Sequence, residues 1–299
     1  MPDPRAPHFL SENILGGEAP ALAGAGGQKA PPLRLPPRAH LTAFHAILHR
    51  ELLRFWGQKG RLVAALVRPL VWFLVFAAGF RAALGLSITP PYTTYITYET
   101  YIVPGLLGMI CLFNGMQSSL SLVYDREMGS MRLLLTSPLP RGWLLFSKLA
   151  AGALVSILQC AVFLGLAALW GVRAPWPGYV LVLPALLATA LMLGALGLLL
   201  SSLIRQLENF AGVMNFVIFP MFFLSSALYP LWKMQEASPA LARLCTLNPF
   251  TQGVELIRFS LYATPNLPAL GWTLLATAVF LALALVGYDP ARGLIARKG

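Results

Sequence analysis

Residues 178–204 have the sequence GYVLVLPALLATALMLGALGLLLSSLI, a run of 27 residues without a charged side chain. A helix rises about 1.5 Å per residue, so about 20 apolar residues cross the roughly 30 Å of hydrocarbon in a bilayer. No water is present there to bind the backbone, and a helix pairs its backbone groups within one segment. The run therefore predicts a membrane-spanning helix.

Five more windows extend this pattern along the chain. Four of them carry no charge, namely residues 102–123, 149–170, 210–232 and 267–287. The fifth, residues 62–86, contains Arg68 and Arg81, which must reach towards the headgroups, but its centre from Pro69 to Phe80 is uncharged. The sequence predicts an all-α polytopic membrane protein with six transmembrane helices.

The composition agrees with a membrane protein. Of the 299 residues, 57% are hydrophobic and only 11% are charged, whereas ordinary soluble domains have about 25% charged residues. The mean hydropathy is +0.69. These values exclude a disordered chain, a collagen-like fibre and a nucleic-acid-binding domain as the main class.

The net charge of +11 follows the predicted topology. If both termini are inside, the inner segments carry 16 Lys and Arg residues and the outer segments carry 5. Cytoplasmic loops of membrane proteins are enriched in these residues. The bias predicts that both termini are cytoplasmic, and it accounts for the basic charge without a nucleic-acid partner.

The segments outside the spans differ in character. Residues 1–38 are rich in Pro, Ala and Gly, which predicts a disordered cytoplasmic tail, and residues 291–299 form a second short tail. Residues 39–58 place apolar side chains at spacings of three and four, which predicts an amphipathic helix on the inner membrane surface. An extension of the first span is the alternative, but the GQKG stretch at 57–60 favours a separate helix. The residues assigned to this interface helix are Phe44, Leu48, Arg50, Leu52, Arg54 and Phe55.

The inner loop at 124–148, YDREMGSMRLLLTSPLPRGWLLFSK, has about 25 residues, which is too few for a catalytic domain. Four charged residues crowd its first third, and two prolines then stop any helix. A short charged element that faces the cytoplasm is suited to docking a soluble partner. A solvated connecting loop is the alternative interpretation.

The first outer loop, PPYTTYITYETY at 90–101, carries four tyrosines. Tyrosines near the end of a span are typical of the aromatic belt at the membrane interface. We therefore expect these rings to lie at the headgroup level.

A longer outer segment, 233–266, predicts a short helix at 239–247 and a second amphipathic helix after Asn248-Pro249. Two residues of the second helix, with opposite charges at i and i+3, can form an ion pair. Both helices are expected to lie against the outer face or to dip into it, where they either gate an exit path or form an inert cap. The residues assigned here are Asn248, Pro249, Glu255 and Arg258.

The sequence gives no sign of catalysis by this chain. It has no GxxxxGK[ST] phosphate loop and no GxSxG or HExxH motif. His45 and His49 stand at i, i+4 without a third ligand, so no metal site is predicted. No Asp or Glu falls within the six spans, whereas ion-coupled transporters usually need ionisable groups there. Polar residues in the spans either line a path or bond between helices; they are Asn114, Gln117, Gln159 and Asn215. Energy for transport is therefore expected from another chain.

Two stretches resemble the permease subunit of ABC-2 type exporters, and the likeness covers roughly residues 40–290. They are the inner YDREMGSMRLLLTSPLPRGWLLFSK and the outer NPFTQGVELIRFSLY at 248–262. Within that family, RPLVWFLVFAAGFRAALGLSI at 68–88, the inner YDREMGSMRLLLTSPLP and RQLENFAGVMNFVIFPMFFLSSALYPLWKM at 205–234 are similar to permeases associated with pyrroloquinoline-quinone-dependent alcohol oxidation systems.

The resemblance implies an ABC-2 type transmembrane domain over residues 39–290, in the inner membrane of a bacterium. It implies a homodimer or a paired permease, with two copies of a separate ABC ATPase that binds ATP and Mg²⁺; this chain itself would bind no cofactor. The inner loop would be the coupling helix in the ATPase cleft, with the helix at 39–58 as the second contact. Asn248, Pro249 and Glu255 match the outer re-entrant helices of the family. The residues assigned to the coupling loop are Asp125, Arg126, Glu127, Met128, Gly129, Ser130, Met131 and Arg132.

Two other functions stay open at this point. One is an ion-coupled secondary transporter, against which the absence of acidic residues in the spans speaks. The other is a membrane assembly factor that does not transport, which would keep its activity when ATP hydrolysis in the partner is blocked.

Overall fold

A computed structural model describes residues 37–57, 59–80, 90–127, 140–204 and 206–287. These residues form ten α-helices, and the all-α prediction is confirmed for this part of the chain. The helices are α1 Pro37–Gly57, α2 Lys59–Phe80, α3 Tyr98–Glu127, α4 Arg141–Leu169, α5 Trp176–Leu203, α6 Leu207–Phe223, α7 Leu231–Ala237, α8 Pro239–Leu247, α9 Pro249–Leu261 and α10 Leu267–Gly287.

Four of the helices are long and apolar enough to cross a membrane, counted over the described residues. They comprise Tyr98–Tyr124, Gly142–Leu169, Trp176–Leu203 and Leu267–Gly287. The other two predicted spans correspond to α2 and α6, whose apolar stretches, Leu66–Phe76 and Leu207–Phe223, are shorter. The chain is thus a membrane protein with four candidate spans, and the count of six stays a prediction.

The predicted span at 210–232 does not continue to Trp232 as a single helix. Helix α6 ends at Phe223, and residues 224–230 form an irregular segment, which we call the outer turn. Pro220 has no N–H to continue the helical ladder, and Leu224, the residue that ends the helix, has left helical geometry at φ −91° and ψ 53°. The window at 210–232 concealed this break because residues 224–230, LSSALYP, carry no charged side chain.

Two other helices extend beyond the uncharged windows at 102–123 and 149–170, and both extensions matter for function. Helix α3 runs on to Glu127, so the charged start of the inner loop continues the second span. Helix α4 begins directly after Pro140, whose extended backbone precedes the helix. Lys148 consequently lies two turns inside α4 and is buried, although the sequence pattern placed it in the loop.

Helix α5 lies at the centre of the domain and packs against α3, α4, α9 and α10. Small residues allow backbones to approach closely in membrane proteins. A Cβ on Gly115 of α3 would lie 2.9 Å from the backbone nitrogen of Gly194 on α5. At the other end of α5, a Cβ on Gly178 would lie 1.7 Å from the carbonyl oxygen of Leu261 in α9.

The outward faces of the helices are apolar, as contact with lipid requires. On α10, Leu274, Leu275 and Leu283 are each more than half exposed. Arg68 of α2 is also exposed, and its guanidinium carbon lies 3.8 Å above the centre of the Phe113 ring. This cation–π contact gives the charge a partner at the side of α3.

Gly178→Ala is expected to destabilise the domain by roughly 1–3 kcal/mol, because the new methyl group must push α9 away from α5. The matched control is Gly165→Ala in α4, where a Cβ meets nothing within 4 Å and helix propensity favours alanine by about 1 kcal/mol. Thermal unfolding of the purified chain in detergent measures both. Equal melting of Gly178→Ala and the unsubstituted chain would contradict the close contact.

Candidate functional site

The backbone carbonyls at the end of α6 and in the outer turn need hydrogen-bond donors. The last four carbonyls of a helix have no partner within it, and inside a membrane each unsatisfied backbone group costs several kcal/mol. The side chains of Ser225, Ser226, Ala227 and Leu228 are fully buried, so the turn lies among the helices and away from solvent. Its carbonyls must therefore be paired by the protein.

Asn248 supplies two of the donors that the end of α6 needs. Its Nδ2 donates to the carbonyl oxygens of Met221 at 2.8 Å and Leu224 at 2.6 Å. Its Oδ1 accepts from the backbone N–H of Phe250 at 3.0 Å and so caps α9. The proline that follows takes the first helical position, where a missing N–H is not needed. The Asn-Pro pair thus starts α9 and supplies hydrogen-bond donors to the carbonyls at the end of α6.

The carbonyl oxygen of Ser226 accepts two more donors, at the middle of the outer turn. The hydroxyl of Tyr101 donates to it at 2.9 Å, and Nη2 of Arg258 donates at 2.8 Å. One turn of α3 away, the hydroxyl of Tyr98 donates to the carbonyl of Leu228 at 2.9 Å. We call the four donors Tyr98, Tyr101, Asn248 and Arg258 the outer clamp.

Arg258 is the charged member of the outer clamp and only 2% exposed. It forms the ion pair with Glu255 that the i, i+3 spacing predicts. Its guanidinium carbon also lies 4.1 Å from the centre of the Tyr101 ring. A carboxylate, a carbonyl and an aromatic face therefore share one buried cation, which fixes α9 against both α3 and the outer turn.

Helix α3 approaches the outer turn without a side chain between them. A Cβ on Gly105 would lie 2.3 Å from the carbonyl oxygen of Ala227. This contact sets the distance at which the hydroxyls of Tyr98 and Tyr101 reach the turn. The clamp thus joins three elements, namely the start of α3, the outer turn and α9.

The aromatic-belt interpretation of the first outer loop is wrong for three of its four tyrosines. Tyr92, Tyr98 and Tyr101 are at most 5% exposed, and only Tyr95 is open to the surroundings. Tyr92 packs against Tyr262 with ring centres 4.6 Å apart. Burial raises the pKa of Tyr262 to about 12 and raises that of Tyr92 as well, so both hydroxyls stay protonated at neutral pH. The spacing of three residues between Tyr98 and Tyr101 was a signal of a common helical face.

The four polar residues predicted to line a path do not all come together. The Nδ2 of Asn114 donates to Oε1 of Gln159 at 2.5 Å, and both residues are buried between α3 and α4. Gln117 is half-buried, and Asn215 is exposed on α6. Asn114 and Gln159 therefore form a hydrogen bond between helices. This was the alternative to lining a transport path.

A small polar cavity of about 40 Å³ lies beside this pair. Glu51 of α1 and Lys148 of α4 both line it, together with Ser118 and Ser121 of α3. Neither charged residue lies in a predicted span. Helix α1 carries the carboxylate to this cavity because it packs against α4.

Residues 37–57 form helix α1, which covers the predicted interface helix. Its separation from α2 falls at residue 58, which lies outside the described residues, so the separation and the place of α1 on the membrane surface stay predictions. The indole nitrogen of Trp143 in α4 donates to the carbonyl of His40 at 3.1 Å, and the ring of Phe44 lies 6.4 Å from that of Trp143. Phe55 is buried, Leu48 and Leu52 are half-buried, and Arg50 is exposed and 3.2 Å from Glu51. The apolar face of α1 is therefore directed at α4. Arg54 lies on the same helix.

The predicted coupling loop is described only at its start. Asp125, Arg126 and Glu127 form the last turn of α3. Met128, Gly129, Ser130, Met131 and Arg132 lie outside the described residues. Their role stays a prediction. His45 and His49 are exposed on α1, and no cluster of three or more His, Cys, Asp or Glu suited to a metal occurs among the described residues.

Comparison with known proteins identifies relatives of this chain. The family model described as ABC-2 type transporter matches residues 42–262, from α1 to the end of α9. The chain is 28% identical over 223 residues to the putative transport permease ycf38 of Porphyra purpurea, which covers 73% of this chain and 74% of that protein. It is 31% identical over 170 residues to the probable multidrug ABC transporter permease YbhR of Escherichia coli (strain K12), covering 56% of this chain and 45% of that protein. Nodulation protein J of Rhizobium leguminosarum bv. viciae is 21% identical over 209 residues, covering 69% and 78% of the two chains.

Arg258→Ala is expected to destabilise the chain by about 3–5 kcal/mol, because it leaves Glu255 without its buried partner and the Ser226 carbonyl with one donor fewer. The double variant Arg258→Met with Glu255→Gln should recover part of the loss, since no unpaired charge remains. Arg243→Ala on the exposed side of α8 is the matched control. Thermal unfolding in detergent gives the comparison, and an Arg258→Ala variant as stable as Arg243→Ala would refute the clamp.

Proposed function

The chain belongs to the ABC-2 type transporter family, and from that premise we propose that it is the permease subunit of an ATP-binding cassette exporter, driven by a separate ATPase. The match over residues 42–262 carries the proposal, because it includes α1, the inner loop, the outer turn and α9. The absence of a phosphate loop from the sequence supports a motor on another chain.

Helix α3 would transmit movement from the partner ATPase to the outer clamp. Its 30 residues extend about 45 Å, from the charged turn at Asp125 to Tyr98. The inner end continues into the proposed coupling loop, and the outer end holds the carbonyls of Ser226 and Leu228. Closure of the ATPase pair against the loop would move α3 as a rod and shift the outer clamp with it.

Helix α1 is the proposed second contact with the ATPase. It packs on the first turns of α4 through Trp143, which lies just after the inner loop returns to the membrane. A push on the loop would therefore reach α1 and α4 together. ATP and Mg²⁺ are expected on two partner ATPase copies, with no cofactor on this chain.

Helix α6 supports the proposal of a permease dimer. Phe216 and Phe219 are 78% and 51% exposed, and Asn215 beside them is exposed as well. An amide that faces lipid lacks hydrogen-bond partners, whereas a facing permease can supply one. We propose that this face of α6 meets a second copy or a paired permease, in a bacterial inner membrane with both termini cytoplasmic.

One observation supports an ion-coupled transporter as the alternative, namely that Glu51 and Lys148 both line the small polar cavity. Ionisable groups within a membrane domain are typical of coupling sites. The two functions differ in their energy source: the exporter stops when the partner ATPase is inactive, and the ion-coupled transporter does not.

Topology is the first test. Reporter fusions after residue 130 and after residue 245 should lie on opposite sides of the membrane, because the loop after α3 and helix α8 are on opposite sides of the proposed exporter. Alkaline phosphatase, which is active only outside the cytoplasm, should be active at the second position and inactive at the first. Activity of both fusions, or of neither, would overturn the arrangement.

Coupling is the second test. The double variant Glu127→Ala with Arg132→Ala should recover about tenfold less ABC ATPase during purification than the unsubstituted chain, a loss of about 1.4 kcal/mol in binding. Glu236→Ala with Arg243→Ala, which removes the same charges from α7 and α8, is the matched control. The mass of the intact complex should correspond to two permeases and two ATPases. Equal recovery from both variants would refute the coupling loop, and ATP hydrolysis by the purified chain alone would refute the separate motor.

A further inference from the structure

A second cavity, of about 200 Å³, lies at the end of the domain that carries the outer clamp. It is enclosed by α5, α9 and α10, and seven of its nine lining residues are apolar. The side chains that matter for the argument are Leu181, Pro184, Ala185, Leu256, Leu267 and Leu270.

The cavity has a physical origin in α5 and α9. Pro184 has no N–H for the carbonyl of Val180, and its ring keeps the preceding turn from packing tightly. Helix α9 cannot move inward to fill the gap, because Gly178 of α5 already touches the carbonyl of Leu261. On the other side, the hydroxyl of Thr189 donates to the carbonyl of Gly253 at 3.3 Å. The two contacts hold α9 at a fixed distance.

The cavity is continuous with the lipid-facing surface. Leu181 and Leu267, which line it, are 45% and 70% exposed on candidate membrane spans. Its inner wall is buried, since Ala185 and Leu256 are 3% and 4% exposed. The bilayer thus borders the mouth of the cavity, and the protein core forms its back.

We propose that this cavity binds one hydrocarbon chain of a bilayer lipid from the leaflet on the α7–α9 side. Dry apolar cavities of about 150 Å³ admit benzene, so 200 Å³ holds a somewhat longer chain segment. Water is a poor occupant, because it needs two to four polar partners. The two polar lining residues are Ser260 and Asn266, and the latter uses its Oδ1 to cap α10 by accepting from the N–H of Ala269 at 3.0 Å.

A bound chain would have a defined consequence for the fold. It would fill the space between α9 and α10 on the side away from the outer clamp, so that protein contacts fix one side of α9 and lipid fixes the other. This inference requires insertion in a membrane and does not depend on the ATPase or on the direction of transport.

Photocrosslinking tests the inference with the full chain reconstituted in phosphatidylcholine vesicles. The vesicles contain a small fraction of a lipid that carries a diazirine on its acyl chain. Leu256 should be labelled several-fold more than the non-lining Val254 on the same helix, which is fully buried. A chain reaches Leu256 only through the cavity. Labelling of Leu256 no higher than that of Val254 would overturn the proposal.

A cavity-filling variant provides the matched comparison. Leu270→Trp should lower labelling of Leu256 at least fivefold, whereas Leu274→Trp, one turn further along α10 and outside the cavity, should leave it unchanged. Ala185→Leu fills the same space from α5 and serves if Leu270→Trp does not fold, as judged by gel filtration and thermal unfolding. Unchanged labelling of Leu256 in a folded filling variant would refute the site.

Discussion

The structure depends on the pairing of backbone carbonyls where α6 stops inside the domain. A span that ends early leaves acceptors where no water is available, and the protein must supply donors for them. Asn248, Tyr98, Tyr101 and Arg258 supply these donors. The hydroxyl of Ser225 adds one more by donating to the carbonyl of Phe222 at 2.6 Å. The outer turn is therefore held by groups that are far apart in the sequence.

This arrangement connects the outer turn to the other end of α3. Helix α3 ends in charged residues on one side and in two tyrosine hydroxyls of the clamp on the other. Helix α5, packed against α3, α4, α9 and α10, keeps the surrounding helices in register with it. In the proposed exporter, α3 would connect the surface at which energy enters to the surface at which cargo leaves.

The buried ion pair of Arg258 and Glu255 has a role beyond stability. Such pairs contribute little net stability compared with apolar packing, but removal of one partner is costly. Here the guanidinium also bonds the Ser226 carbonyl and lies over the Tyr101 ring. The pair thereby specifies one position of α9 relative to α3 and the outer turn, and α9 in turn encloses the apolar cavity with α5 and α10.

The sequence alone determined the class of protein, because uncharged runs of about 20 residues admit one stable structure in lipid. It also determined that residues 39–57 and 239–247 and the segment after Asn248-Pro249 are helical, and that Glu255 and Arg258 pair, because these features follow from local spacing. Only the tertiary structure decided where α6 breaks, that Lys148 is buried, and that Tyr98 and Tyr101 bind the outer turn. Hydropathy does not distinguish a helical from a turned apolar segment. Whether a tyrosine faces lipid headgroups or a carbonyl depends on which helix passes beside it, and that contact joins residues more than 120 positions apart.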